Sequence, residues 1–488
     1  MKMKNKKKLK LNKTKKGYNL LYNVNNKIYS KQSLIPKRVL LIIIIVFIFF
    51  MINNILFFPK IKNYFSQKTK KYSSYNNTII SNIVISKNNK SSNDNNFKND
   101  YSYLIAEIIY KLKKNEKYRI PKYILLFDYY LNQYCNDINA YLLFEYYLKE
   151  NINEAYYIIN IESDLYKSLV EQKKTKNLIL YDPTKKNLYD EIYSYLLNSM
   201  IIVNSFVFFD IQTIVNNVSY LKYILITHAI GYFKIKILKD QLINLSRNKR
   251  NIIISSPYEY ELFKNKFGYR EQYMHKAGLP RYERLSSVTK NQSENQCILI
   301  SFTYREYNND VYQKSLFKKN LEALLKDSNL ITFLENKKVD LIYIQHHYDY
   351  KRNRPFNPED FPYVKYRNQS FLSYYIEQCS LFITDFSTIC FDFMFMNKPA
   401  LFYKIDLEDE MNFEEKEYMN FDKNNVTSFY FGHVFSEQNE LINKIKEYVN
   451  KNFEIDDDLK KKYESIFYYK YNIIKRVVDI INGIIEKN

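Results

Sequence analysis

The 488-residue sequence has no tryptophan, only six glycines and only four cysteines. The cysteines, Cys135, Cys297, Cys379 and Cys390, show no C-x-x-C spacing, which speaks against both a zinc site and a disulfide framework. The missing glycine and tryptophan go with an excess of Lys, Asn, Ile, Tyr and Phe, a bias that AT-rich codons impose. Part of the lysine and tyrosine content therefore carries no functional meaning. Acidic residues are absent from residues 1–38, which hold 13 Lys and Arg, while residues 39–100 hold 8 Lys against 2 Asp. The first hundred residues thus carry +19 of the formal +22, leaving +3 for residues 101–488. A body so close to neutral offers a phosphate backbone little attraction, and no nucleic-acid partner is expected.

What the chain does have begins with a basic arm, residues 1–38. It runs into VLLIIIIVFIFFMINNILFF, residues 39–58, 20 residues without a charge and interrupted only by Asn53-Asn54. That length spans a bilayer, so a membrane anchor is expected. The long basic region and the lack of a small-residue cleavage site argue against a signal peptide. Heavier charge before the segment favours a cytoplasmic N-terminus with the body outside. A re-entrant or interfacial segment would leave the body on the cytoplasmic side, and both arrangements stand at this level. Residues 59–118 read as a polar, Asn- and Ser-rich tether followed by a helical lead-in.

The body reads as α/β. Apolar runs at Lys122–Phe127, Tyr156–Ile161, Asn177–Tyr181, Met200–Asn204 and Tyr223–Thr227 predict strands, with helices at Ala140–Leu148 and Leu188–Leu197. A second series runs through Cys297–Ser301, Leu341–Gln345, Leu381–Thr384 and Ala400–Tyr403, and Leu459–Ile485 predicts a terminal helix. Strands alternating with helices imply parallel sheets. The expected architecture is two doubly wound halves, 119–285 and 297–488, facing a cleft and joined by a polar hinge at 286–296.

The most informative stretch is CSLFITDFSTICFDFMFMNKPALFY, Cys379–Tyr403. It predicts strand, polar turn, helix, tight turn and strand. Thr384, Asp385, Ser387 and Thr388 then meet backbone N–H groups and the helix dipole at a strand's carboxyl end, a setting suited to phosphate. Capping alone would also explain Ser387 and Thr388. Asp392, however, lies inside an apolar block and needs a partner, such as a ribose hydroxyl. Three of the five histidines follow predicted strands: His228, with Gly231 and Lys234 close behind, and the pair His346-His347. Any one of them is more often structural; one set per half suits proton transfer or charge stabilisation in the cleft. No acidic residue stands at ligand spacing from them, so no metal is expected.

In order, His228 to Lys234, Ser255-Ser256-Pro257, Phe267-Gly268-Tyr269, Gly278-Leu279-Pro280-Arg281, Thr303-Tyr304-Arg305, His346 and Thr384-Asp385-Phe386-Ser387-Thr388 with Asp392 resemble the CDP-glycerol glycerophosphotransferase family. These are the teichoic acid primases and polymerases of the two-domain GT-B fold. The resemblance spans most of the body, and TDFSTICFD with NKPALFYKIDLEDE is its most specific part. The family's His-Gly-Thr-Pro-Leu-Lys reads His228-Ala229-Ile230-Gly231-Tyr232-Phe233-Lys234 here, and His347 replaces the usual proline, so the donor half matches better than the acceptor half.

The resemblance implies transfer of an alcohol phosphate from CDP-glycerol, or a related CDP-alcohol, to a hydroxyl of a lipid-linked or polymer acceptor, without a cofactor. His228 would act as base, and His346 and Arg305 would offset charge on the transferring phosphate. Thr384, Asp385, Ser387 and Thr388 would hold the pyrophosphate, and Asp392 the ribose. Lys234, Arg281 and His347 would support the acceptor side. Donor availability then places the body in the cytoplasm, against the flanking charge, and the arm holds it at a membrane. Two other readings stay open: a GT-B glycosyltransferase using a nucleotide sugar in capsule or lipopolysaccharide synthesis, and a non-catalytic envelope scaffold.

Overall fold

The computed structural model describes residues 95–128, 139–152, 154–182, 188–205, 209–227, 230, 250–287, 296–305, 309–346, 349, 356–406 and 431–487. The basic arm, the apolar run 39–58, the tether to residue 94, most of the hinge, and His228, Lys234 and His347 lie outside the described residues. Among the described residues no helix is long and apolar enough to cross a membrane. Residues 94–488 form one compact unit.

A lead-in helix, Asn95–Asn115, precedes two sheets. The first contains β1 (Tyr123–Phe127), β2 (Ala155–Asn160), β3 (Leu178–Tyr181), β4 (Ser199–Asn204), β5 (Tyr223–Ile226), β6 (Asn251–Ile254) and β7 (Met274–Lys276). The second contains β8 (Gln296–Ile300), β9 (Val339–Ile344), β10 (Val364–Arg367), β11 (Leu381–Thr384), β12 (Ala400–Tyr403) and β13 (His433–Phe435). Their orders are β3-β2-β1-β4-β5-β6-β7 and β10-β9-β8-β11-β12-β13. Every pairing is parallel. Central strands such as YILI in β5 and LFIT in β11 are buried at every residue, as parallel strands covered on both faces must be. Each sheet reverses its winding once, between β1 and β4 and between β8 and β11. At such a reversal the flanking helices diverge and leave a crevice at the strands' carboxyl ends.

Local chemistry fixes the elements around that frame. The helix Pro257–Phe267 starts on Ser256, whose hydroxyl accepts from Tyr258 N, with proline in the first turn. It ends on Gly268, whose φ of 61° lies in the left-handed region where a Cβ is strained. This accounts for Ser256-Pro257 and Phe267-Gly268-Tyr269 in the sequence pattern without any ligand. Strands β6, β7, β10 and β13 escape the sequence reading; β7 (MHK), β10 (VKYR) and β13 (HVF) are short and interrupted by charged residues or histidine.

Two expectations need correction. The tail is not one helix but two, Asp457–Glu464 and Ile473–Glu486. The intervening chain crosses between the halves: Tyr468 N donates to Ser255 O, and Phe467 packs edge-on against Tyr282 and Phe395. A continuous helix would lose those contacts. The second correction concerns cysteine. Cys297 and Cys379 form a disulfide although 82 residues separate them. Pairing of β8 with β11 brings them together, with Ser380 N donating to Cys297 O, and no local spacing could have announced it.

The last helix packs on the first half through Ile473, Val477 and Ile481, all fully buried. Both of its ends are capped from that half. Glu283 accepts from Ile474 N at 2.6 Å, and Lys222 Nζ donates to the carbonyls of Ile484, Ile485 and Lys487 at 3.0, 2.7 and 2.8 Å. A carboxylate at the N-terminus and a cation at the C-terminus both complement the helix dipole. Lys222→Met should therefore lower the unfolding free energy by about 1–2 kcal/mol, with Lys222→Arg recovering part of it. Denaturant midpoints equal to the parent protein's would show that the cap contributes nothing.

Candidate functional site

The Thr384–Thr388 turn emerges at the β8/β11 reversal, the position where the topology opens a crevice. A buried charge network holds it. Asp385 accepts from Thr303 N at 3.0 and 3.1 Å, Thr303 Oγ1 at 3.1 Å, Phe386 N at 2.6 Å and Arg305 Nη1 at 2.8 Å. Thr384 Oγ1 donates to Ser301 O at 2.7 Å, tying the end of β11 to that of β8. Arg305 grips Asp406 at the end of β12 through Nε and Nη2, at 2.7 and 2.8 Å, and also donates to Thr303 O. Its guanidinium lies between the rings of Phe317 and Phe386 and is 3% exposed. One network thus fixes the carboxyl ends of three adjacent strands, β8, β11 and β12. Arg305 makes four hydrogen bonds within it.

Ser387 Oγ accepts from Ile389 N at 3.4 Å, a long bond, and the helix Cys390–Phe395 follows. Capping is thus one role that Ser387 already has, at weak geometry. Asp392 has its partner within the protein. Its Oδ1 accepts from Arg281 Nε and Nη2 at 3.0 and 2.9 Å, with both side chains largely buried. Burial pushes the Asp392 carboxyl up, and Arg281 pulls against that shift.

Arg281 belongs to the first half, in the helix Pro280–Ser286. Its own N–H donates to Asn139 Oδ1 at 3.0 Å, and Asn139 Nδ2 reaches the Thr227 carbonyl at 3.5 Å. Asn139 opens the helix that follows β1, Thr227 follows β5, and Asp392 follows β11. The carboxyl edges of the two sheets therefore meet through one buried asparagine and one ion pair. Arg284 and Glu377 add a second ion pair at 3.0 Å, and Tyr282 stacks on Phe395 at 4.7 Å.

His346 stands two residues past the end of β9, half-buried, its ring 4.9 Å from that of Tyr304. It thus stands next to the Thr303–Arg305 segment across the β8–β9 pair. His228 follows Thr227 in sequence. So Thr384, Asp385, Ser387, Thr388, Arg305 and His346 gather at one sheet edge, and Arg281 and Asp392 join that edge to the other half.

Three residues that sequence reasoning passed over complete the frame: Asp406, Asn139 and Asp128. Asp406 lies inside the quoted motif but gives no local sign of its partner. Asp128, at the end of β1, accepts from Ala140 N, Tyr141 N and the Tyr157 hydroxyl, each at 2.9 Å. It thereby pins the helix that carries Asn139.

A protein of two parallel-sheet α/β halves, each with one sheet reversal, is of the GT-B class. The comparisons are more specific. Residues 109–483 match the family described as CDP-Glycerol:Poly(glycerophosphate) glycerophosphotransferase, and the chain belongs to that family. It is 25% identical over 250 residues to a teichoic acid glycerol-phosphate primase of Bacillus subtilis (strain 168), covering 47% of this chain and 62% of that protein. It is 23% identical over 262 residues to the minor teichoic acid biosynthesis protein GgaB of the same strain, covering 50% of this chain and 28% of GgaB. The chain thus spans less than two thirds of either relative. Its fold is shared with the wall teichoic acid polymerase TagF at a TM-score of 0.56 and 16% identity, over 84% of this chain and 97% of that one.

Burial pushes the Asp128 carboxyl up from its ordinary 3.8 to about 6. A carboxyl raised in the folded state stabilises fully below its unfolded value and loses that contribution as pH rises through the folded value. For Asp128 the window runs from about pH 4 to above pH 6, and the contribution lost is about 3 kcal/mol. Asp128→Asn cannot ionise, so its unfolding free energy should fall less steeply across that window. Urea titrations at several pH values giving parallel slopes for both proteins would remove Asp128 from the balance.

Proposed function

We propose that the protein transfers glycerol phosphate, or a related alcohol phosphate, from a CDP-activated donor to a hydroxyl of a lipid-linked or polymeric cell-envelope acceptor, releasing CMP. The observation that carries this reading is the Thr384–Thr388 turn, fixed by Asp385, Arg305 and Asp406 at the β8/β11 reversal of a chain that belongs to the glycerophosphotransferase family. The acceptor oxygen attacks the β-phosphorus, a P–O bond forms, and the bond to the CMP oxygen breaks. His228 takes the hydroxyl proton. Ser387 and Thr388 donate to the pyrophosphate, and His346 offsets the negative charge that develops on the leaving phosphate.

Within this proposal two residues act indirectly. Arg305, surrounded by Asp385 and Asp406, acts by holding the turn rigid rather than by touching phosphate. Asp392, paired with Arg281, acts by joining the halves, so that donor and acceptor sides keep their separation. The catalytic body works on the cytoplasmic side, where a CDP-activated donor is made, held at the membrane by the N-terminal segment.

Donor profiling tests the reaction. CDP-glycerol or CDP-ribitol should release CMP in an acceptor-dependent way and UDP-sugars should release nothing; turnover of a UDP-sugar alone would favour the glycosyltransferase. Release of nothing, with no donor bound, would favour the scaffold. His228→Ala should lower kcat by roughly 10²–10⁴-fold with donor affinity little changed. Near-parent turnover in that variant would shift the base to another group.

Ser387→Ala combined with Thr388→Ala distinguishes ligand binding from capping. Loss of two donors to an anionic ligand should weaken CDP-glycerol binding by roughly ten- to a hundredfold for each. Unchanged affinity with a melting point lowered by the loss of about 1 kcal/mol would reduce both hydroxyls to caps.

A further inference from the structure

At the amino-terminal edge of the first sheet, opposite the edge that carries Asp128 and Thr227, a short stretch breaks the near-neutrality of the body. Residues 113–122 hold Lys113, Lys114, Lys117, Arg119 and Lys122 against a single acid, Glu116. All but Asn115 and Arg119 are exposed. Among the described residues no carboxylate pairs with any of the five cations. The same stretch presents Tyr118 and Ile120, 64% and 68% exposed.

Its backbone is nonetheless fixed. Arg119 Nη2 donates to Ser199 O at 2.7 Å and Ile120 N to Asn198 Oδ1 at 2.8 Å. Cations and tyrosines alternate over the surface: Lys117 lies on Tyr118, Arg119 on Tyr220, and Lys122 on Tyr123. Lys222 adjoins Arg119, and its Nζ–H···O bond to Lys487 brings a further basic residue to this pole. A solvated lysine run would need neither the ordered backbone nor the exposed tyrosine and isoleucine.

We propose that residues 113–122 are a docking surface for an anionic bilayer, with Lys and Arg among the headgroups and Tyr118 and Ile120 in the interfacial layer. Tyrosine and basic side chains with apolar stems suit that boundary. A bilayer is favoured over a soluble polyanion by the two exposed apolar side chains and by the origin of the entering chain. Only residues 59–94 separate the lead-in helix from the uncharged run 39–58. The surface is distinct from that run and from the arm before it, and it does not depend on the transferase reading.

Hydrogen exchange on the full-length chain tests it, because exchange reports this stretch even when the N-terminal segment already holds the protein on a vesicle. With vesicles of phosphatidylglycerol and phosphatidylcholine in equal parts, residues 116–123 should exchange about tenfold more slowly than with phosphatidylcholine alone. The helix Ser328–Lys337 of the other half should be unaffected. Lys113→Glu, Lys114→Glu and Lys117→Glu together should abolish the slowing. Basic residues near an anionic surface are each worth about fivefold, so three reversals cost more than a hundredfold. Tyr118→Ala with Ile120→Ala should lessen it. Equal exchange on the two vesicle types, or slowing that survives the triple substitution, would overturn the proposal. So would equal slowing by soluble poly(glycerol phosphate) without vesicles, which would make the stretch a polymer site.

Discussion

Burying ions is the constraint on which the second half is built. Arg305, Asp385 and Asp406 are each almost fully excluded from water, and taking any of them there alone would be prohibitive. They can lie there only as a set, each carboxylate facing the guanidinium and Asp385 also receiving backbone and hydroxyl donors. A set of this kind has one low-energy arrangement, so the ends of β8, β11 and β12 are held in register with one another. The crevice-forming turn inherits that rigidity.

The joint between the halves follows the same logic at lower charge density. Apolar contact, with Tyr282 on Phe395 and Tyr258 against Phe431, supplies adhesion but tolerates sliding. The Arg281–Asp392 pair and Asn139 do not. An amide has its donor and acceptor at opposite ends, so Asn139 can serve Thr227 O and Arg281 N only in one orientation. Adhesion and alignment are thus assigned to different residues at the same interface.

How much of this was legible follows from what each feature depends on. The long strands and the Cys379–Tyr403 crossover could be read because period and burial are local: LFIT and ALFY are continuous apolar runs, and Asn397 marks the turn between them with a φ of 57°. The resemblance rested on ordered motifs, several of which the structure gathers at one sheet edge. What could not be read is pairwise and distant. Asp392 announced its need for a partner, but nothing local pointed to Arg281, 111 residues earlier. The two carboxylates that Arg305 meets lie 80 and 101 residues away, so its place in a buried network had no local sign. The disulfide was missed for the same reason. The tail was read as one helix because its periodicity continues past Ser465, where tertiary contact with Ser255 overrides it.

The closing helix has a consequence for the order of folding. Lys222 waits for carbonyls more than 260 residues downstream, and the face of the first sheet that Ile473, Val477 and Ile481 cover stays open until they arrive. During synthesis the first half emerges early yet cannot bury that face, so apolar surface stays available to chaperones or to wrong partners while the second half is made. The half that is made first is the last to be finished.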